Sequence, residues 1–135
     1  MRTLPMRSRR ARLVVAIAAA LLILLLAGTA WALKGIGHCR AQGGYATCVA
    51  AGSVNHPKAL FVKVGSSPSQ HVTVYWSTVC TKNSGAGSKS GHFSATTPVL
   101  RKIRMAYTAP DSCTVSADAQ LSKKGSIWVV LKAKV

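Results

Sequence analysis

Acidic residues are almost missing from this sequence: Asp111 and Asp118 stand alone against 18 Lys and Arg, for a formal charge of +16. Two carboxylates are too few to supply a spread of acid–base pairs, and both fall near one predicted strand, so carboxylate-driven hydrolysis is excluded as a reading. Asp111 follows Pro110 in a turn signal, where a short carboxylate is expected to accept bonds from local backbone N–H groups. Asp118 is expected on an outward strand face as a solvated charge. The four histidines, His38, His56, His71 and His92, are scattered, and no Ser or Cys stands beside any of them in a nucleophile-elbow pattern. The cysteine and histidine spacings match no common zinc pattern. Gly85-Ala86-Gly87-Ser88-Lys89 lacks both the first-glycine spacing and the following helix of a phosphate-gripping loop. No catalytic residue, metal site or cofactor is therefore assigned, and an enzyme is not expected.

What is present begins with a leader. Five arginines (Arg2, Arg7, Arg9, Arg10, Arg12) precede an apolar run from Leu13 to Ala27, and Ala30-Trp31-Ala32 follows with small side chains at alternate positions. This is the three-part pattern of a signal peptide, with cleavage expected after Ala32 and with Ala30 and Ala32 fitting the peptidase cleft. Extended through residue 33, the apolar stretch spans about 31 Å as a helix, so an uncleaved signal anchor over residues 13–33 is the competing reading. Either way residues 1–32 target the chain, and residues 33–135 form one domain that is secreted or held on the outer face of the cytoplasmic membrane. A lipoprotein is disfavoured because Ile36-Gly37-His38 before Cys39 is no lipobox. The twin-arginine resemblance of Ser8-Arg9-Arg10 is weak. With five of the 18 basic residues in the leader, 13 remain against two acids, leaving the domain at +11.

Four cysteines, Cys39, Cys48, Cys80 and Cys113, all lie beyond the leader. An even number in an exported domain implies two disulfides, with three connectivities to choose from. Cys39–Cys48 with Cys80–Cys113 is the expected set, because Gly43-Gly44 can reverse the chain cheaply between the first two. Closing loops of these lengths restricts the unfolded chain by ~2.7 and ~3.8 kcal/mol respectively.

Period-two alternation marks the domain as all-β. His71–Trp76 places Val72, Val74 and Trp76 on one face; Ser126–Lys134 turns Ile127, Val129, Leu131 and Ala133 inward; Cys113, Val115, Ala117, Ala119 and Leu121 make a third inward row. Further strands are predicted at Tyr45–Ala51, Ala59–Val64, Gly91–Thr96 and Val99–Tyr107, and the Gly-, Ser- and Lys-rich stretch Lys82–Ser90 reads as a mobile loop. About seven short strands separated by turn signals predict an antiparallel two-sheet sandwich, immunoglobulin-like, preceded by an N-terminal hydrophobic helix. The strands of Cys80 and Cys113 should be neighbours. Tyr75 and Trp128 are expected to face away from the inward rows.

The remaining feature is the charge. Arg101, Lys102 and Arg104 cluster in one predicted strand, Lys123 and Lys124 sit at a turn, and Lys132 and Lys134 mark the last strand. Such a surface attracts polyanions through fields that salt weakens, although outward lysines also guard strand edges. Anionic cell-envelope polymer, phospholipid head groups or an unidentified protein are the implied partners, with the membrane itself a partner through residues 13–33 if the leader stays. Specific nucleic-acid recognition is not expected, since nothing beyond charge supports it. The Ala-, Leu- and Arg-rich leader joined to a small four-cysteine β-domain resembles exported proteins of unknown function from high-GC actinobacteria, a resemblance that implies export and no activity. The reading is a non-catalytic basic binding module, with a small secreted enzyme inhibitor or enzyme as the alternative.

Overall fold

The computed structural model describes residues 33–135. The leader expected over 1–32, its hydrophobic helix and the Ala30/Ala32 cleavage site lie outside the described residues. Eight strands follow in order: β1 (Leu33–Gly43), β2 (Thr47–Asn55), β3 (Ala59–Ser67), β4 (His71–Lys82), β5 (Gly85–Thr96), β6 (Val99–Ile103), β7 (Ser112–Leu121) and β8 (Gly125–Lys134). Among the described residues there is no helix.

Alternation builds the core. Cys113, Val115, Ala117, Ala119 and Leu121 of β7 and Ile127, Val129, Leu131 and Ala133 of β8 are buried, as are Val72 and Val74, while Trp76 is half-buried against them. Leu60, Val62 and Val64 of β3 complete the row from the facing sheet. Small β-branched side chains pack well on pleated surfaces, and each buried Val, Leu or Ile contributes about 1.5–3 kcal/mol. Residues 33–135 form a compact unit of their own.

The strands make two four-stranded antiparallel sheets, ordered β1-β8-β3-β6 and β2-β7-β4-β5. The expected antiparallel sandwich is present, with a strand order that corrects the immunoglobulin-like expectation. An immunoglobulin sandwich pairs several sequence neighbours within one sheet. Here β1 pairs β8, β2 pairs β7, β3 pairs β6 and β4 pairs β5, as one long hairpin folded over on itself. Eight strands in this nested order are a jelly roll.

Three local expectations change with it. The eighth strand is β1, whose alternation is obscured by Gly35 and Gly37 and by an irregularity of register between them. Gly37 has a packing reason: a Cβ there would overlap the backbone of Ala51, and one on Gly52 would overlap Ile36. The two strands touch backbone to backbone where β1 and β2 pass between the sheets. Next, Lys82–Ser90 is not a loop. Pairing runs unbroken from Lys82↔Gly85 to His71↔Thr96, closed by Asn83-Ser84, both with positive φ as a two-residue hairpin turn requires. The stretch expected to be a mobile loop is therefore a paired hairpin. Finally, the last predicted strand before Pro110 is shorter than Val99–Tyr107: β6 stops at Ile103.

Both expected disulfides are formed. Cys80 and Cys113 are register partners on the neighbouring strands β4 and β7, with Cα atoms 4.1 Å apart. Cys39–Cys48, at 5.8 Å, ties β1 to β2 and so links the two sheets beside the glycine crossing.

Candidate anion-binding groove and the two sheet faces

Strand alternation hands each sheet one outward face, and cross-strand register decides which residues meet on it. On the β1-β8-β3-β6 sheet, Lys132 lies opposite Phe61, which lies opposite Lys102. The next row is His38, Val130, Lys63 and Leu100. Arg40 then stands opposite Trp128, its guanidinium 5.9 Å from the ring centroid, while Trp128 covers Gly65, where a Cβ would collide with the indole. Trp128 faces outward as expected, but half-buried on that glycine.

At one end of this sheet the surface dips into a groove of about 450 Å³, whose lining includes Lys58, Lys89, Lys102, Arg104, Met105 and Tyr107 and no acid. Four chain segments are brought together here by hydrogen bonds. The Lys58 N–H donates to the Lys134 carbonyl at 2.6 Å, which fixes the start of β3 against the end of β8. Thr78, fully buried on β4, donates its hydroxyl to the Arg104 carbonyl at 2.8 Å. Lys82 Nζ donates to the Thr108 carbonyl at 2.7 Å, and Tyr107 stands over Gly87 of β5. These bonds hold residues 104–109 across the edge of β5, so the cations of both edges face one space. An anion entering it meets several positive charges from a largely preformed frame, which is the condition for charge-assisted hydrogen bonding and local accumulation of counter-ions.

Of the residues expected to bind anions, Lys102 and Arg104 line the groove. Lys132 and Lys134 adjoin it through Phe61 and Lys58. Arg101 does not join them: its guanidinium turns to the ring of Phe93, 4.7 Å away, on the edge strand β5 of the facing sheet. Lys123 and Lys124 lie before the start of β8, roughly 30 Å along that strand from Lys134, and Lys124 lines a separate depression with Gln42 and Ser67. Lys58, Lys89 and Tyr107 were not legible as site residues. Each is isolated in sequence, and only their convergence marks them.

The outward face of the β2-β7-β4-β5 sheet is different. Thr47, Val49, Ala51 and Ser53 of β2, the row Ser112 to Gln120 of β7, and the outward positions of β4 and β5 include no Lys or Arg. Hydroxyls pair across strands: Ser77 with Ser116 and Thr81 with Ser112 at 2.8 Å, Ser53 with Thr114 and Thr73 with Ser94 at 3.3 Å. One row crosses all four strands as Val49, Asp118, Tyr75 and His92, with the Tyr75 and His92 rings 5.8 Å apart. Tyr75 is exposed, as expected. Asp118, expected to be solvated, has its Oδ1 buried without a hydrogen-bond partner. Asp111 accepts from the Asn83 N–H at 3.0 Å, a bond to the distant β4–β5 turn in place of the local one expected. His71 shares this face, His38 is on the other sheet, and His56 sits at a turn; among the described residues no three His, Cys, Asp or Glu side chains gather.

No protein-family model and no curated protein matches the chain. Solved structures similar to it include TmCBM61 in complex with beta-1,4-galactotriose, at 10% identity over 74% of this chain and 77% of that one, with a TM-score of 0.42. The Drosophila melanogaster CENP-C cupin domain is similar at 11% identity over 73% and 56%, with a TM-score of 0.35. The family 11 carbohydrate-binding module from Clostridium thermocellum, in complex with a beta-1,3-1,4-mixed-linked tetrasaccharide, is similar at 12% identity over 75% and 80%, with a TM-score of 0.29.

Proposed function

We propose that residues 33–135 are a non-catalytic binding module working outside the cytoplasmic membrane, and that its cationic groove holds an anionic envelope polymer. One observation carries the reading: Lys58, Lys89, Lys102 and Arg104 converge from separate segments on one groove whose lining contains no acid. Gathering like charges is unfavourable unless a counter-charge repays it, and a domain at +11 has only two acids of its own to offer. Edge protection does not account for the adjoining lysines, because β8, which carries Lys132 and Lys134, is a central strand. Two disulfides support an oxidising compartment, in keeping with secretion or anchoring on the outer face of the cytoplasmic membrane. Lipid head groups present the same anionic chemistry on a plane and are the comparison arm of the test.

Binding of the protein to a soluble phosphodiester polymer should weaken steeply between 50 and 500 mM salt, the concentrations spanning strong and weak screening. Each exposed ion pair is worth about 0.2–1 kcal/mol, so Lys102→Ala with Arg104→Ala should cost roughly tenfold in affinity, while Lys123→Ala with Lys124→Ala should cost less than about threefold. Equal losses from the two pairs, or no binding at low salt, would remove the groove as the site. Vesicles containing phosphatidylglycerol, binding more tightly than the polymer, would move the ligand to the lipid surface.

A further inference from the structure

We propose that the outward face of the β2-β7-β4-β5 sheet is a second binding platform, for a neutral polysaccharide, separate from the cationic groove and independent of it. In a domain with 13 cations, none stands at an outward position of these four strands, so the face offers an anion nothing to pair with. What it does offer is apolar surface set among hydroxyls. Tyr75, Val49 and Val79 are exposed at 52%, 61% and 48%, three of the large apolar side chains most open to solvent. Around them stand Ser53, Thr73, Ser77, Ser90 and Thr114, already aligned by cross-strand hydrogen bonds or register.

A pyranose ring has the complementary make-up, with an apolar C–H face and a rim of hydroxyl donors and acceptors. Its C–H face can rest on Tyr75, an amphipathic ring with little conformational freedom to lose. Its hydroxyls can exchange bonds with the serine and threonine rows. Asp118 lies between Val49 and Tyr75 in the same row, with its Oδ1 buried beneath the surface, so the contact face of the row is made by Val49, Tyr75 and His92. Adjacent strands are about 4.8 Å apart, so the row from Val49 to His92 runs roughly 14 Å across the sheet, enough for several linked rings. Charge complementarity separates the two sites: the groove selects anions, and this face selects uncharged, hydroxyl-rich chains.

The test is affinity electrophoresis of the purified protein through gels containing neutral galactan, xylan, mannan or mixed-linked glucan, at 500 mM salt so that the groove is screened. Retardation by at least one polymer is expected. Tyr75→Ala should weaken it by about tenfold or more, as a central aromatic anchor does, and Tyr75→Phe should retain it. Lys102→Ala with Arg104→Ala should leave it unchanged, so failure of the groove reading and failure of this one are read separately. No retardation in any gel, retardation indifferent to Tyr75→Ala, or retardation lost with the groove pair would each overturn the proposal. So would a dimer in sedimentation that Tyr75→Ala dissolves, since a second copy would then occupy the face.

Discussion

Along β8 the outward residues read Ser126, Trp128, Val130, Lys132 and Lys134, whereas along β7 they read Ser112, Thr114, Ser116, Asp118 and Gln120. Both are central strands, each flanked on either side by a partner, and their inward rows are nearly interchangeable runs of Val, Ala, Leu, Ile and Cys. Burial therefore dictates the inner rows and leaves the outer ones free. That freedom has been used in opposite ways: an indole and two lysines along β8, hydroxyls, an amide and one carboxylate along β7. Edge protection does not require such a division, because both strands are shielded from edge pairing by their neighbours. On these two central strands the outward cations stand on one face only.

The two faces rest on one shared core. Leu131→Ala empties a fully buried position beneath the Lys132 side and should cost about 2–5 kcal/mol in urea denaturation, with polymer and polysaccharide binding lost together as the fold weakens. A loss confined to one ligand would mean that the faces do not share a cooperative core. Gly65→Ala acts on a single face: the new methyl would collide with Trp128, displace it from beneath Arg40, and cost roughly 1–3 kcal/mol by overpacking. Near-ultraviolet circular dichroism should register the moved indole while behaviour on neutral polysaccharide stays as in the parent. Asp118→Ser is the smallest and has the opposite sign. Removing a carboxylate whose buried Oδ1 has no partner, in favour of a hydroxyl like those around it, should raise stability by about 1 kcal/mol in thermal unfolding without ligand. A drop would mean that Asp118 is satisfied in solution.

Much of this architecture could be read along the chain. The inward rows of β7 and β8 follow from alternation alone, because a strand with one wet side must repeat every second residue. The two disulfides followed from an even set of cysteines and the Gly43-Gly44 turn. β1 escaped because its glycines serve a backbone crossing with β2, a demand that leaves no apolar period. The β4–β5 hairpin escaped because β5 places Gly85, Gly87 and Gly91 at alternate positions, making room for Trp76 and Tyr107, and so imitates a loop composition. Within the groove, Lys102 and Arg104 stood out as neighbours in sequence, but Lys58 and Lys89 carry no local signal.

By itself the sequence determined which side of most strands would be buried, that the thiols would be cross-linked, and that an excess of positive charge would remain, since these depend on residue type and near-neighbour spacing. Tertiary structure alone decided the nested pairing, in which β1 lies against β8 nearly the full length of the domain away. That pairing sets which strands form each sheet, and the packing of one sheet on the other, not sequence distance, sets the Arg101 guanidinium over Phe93 and gathers Lys58, Lys89, Lys102 and Arg104 around one groove.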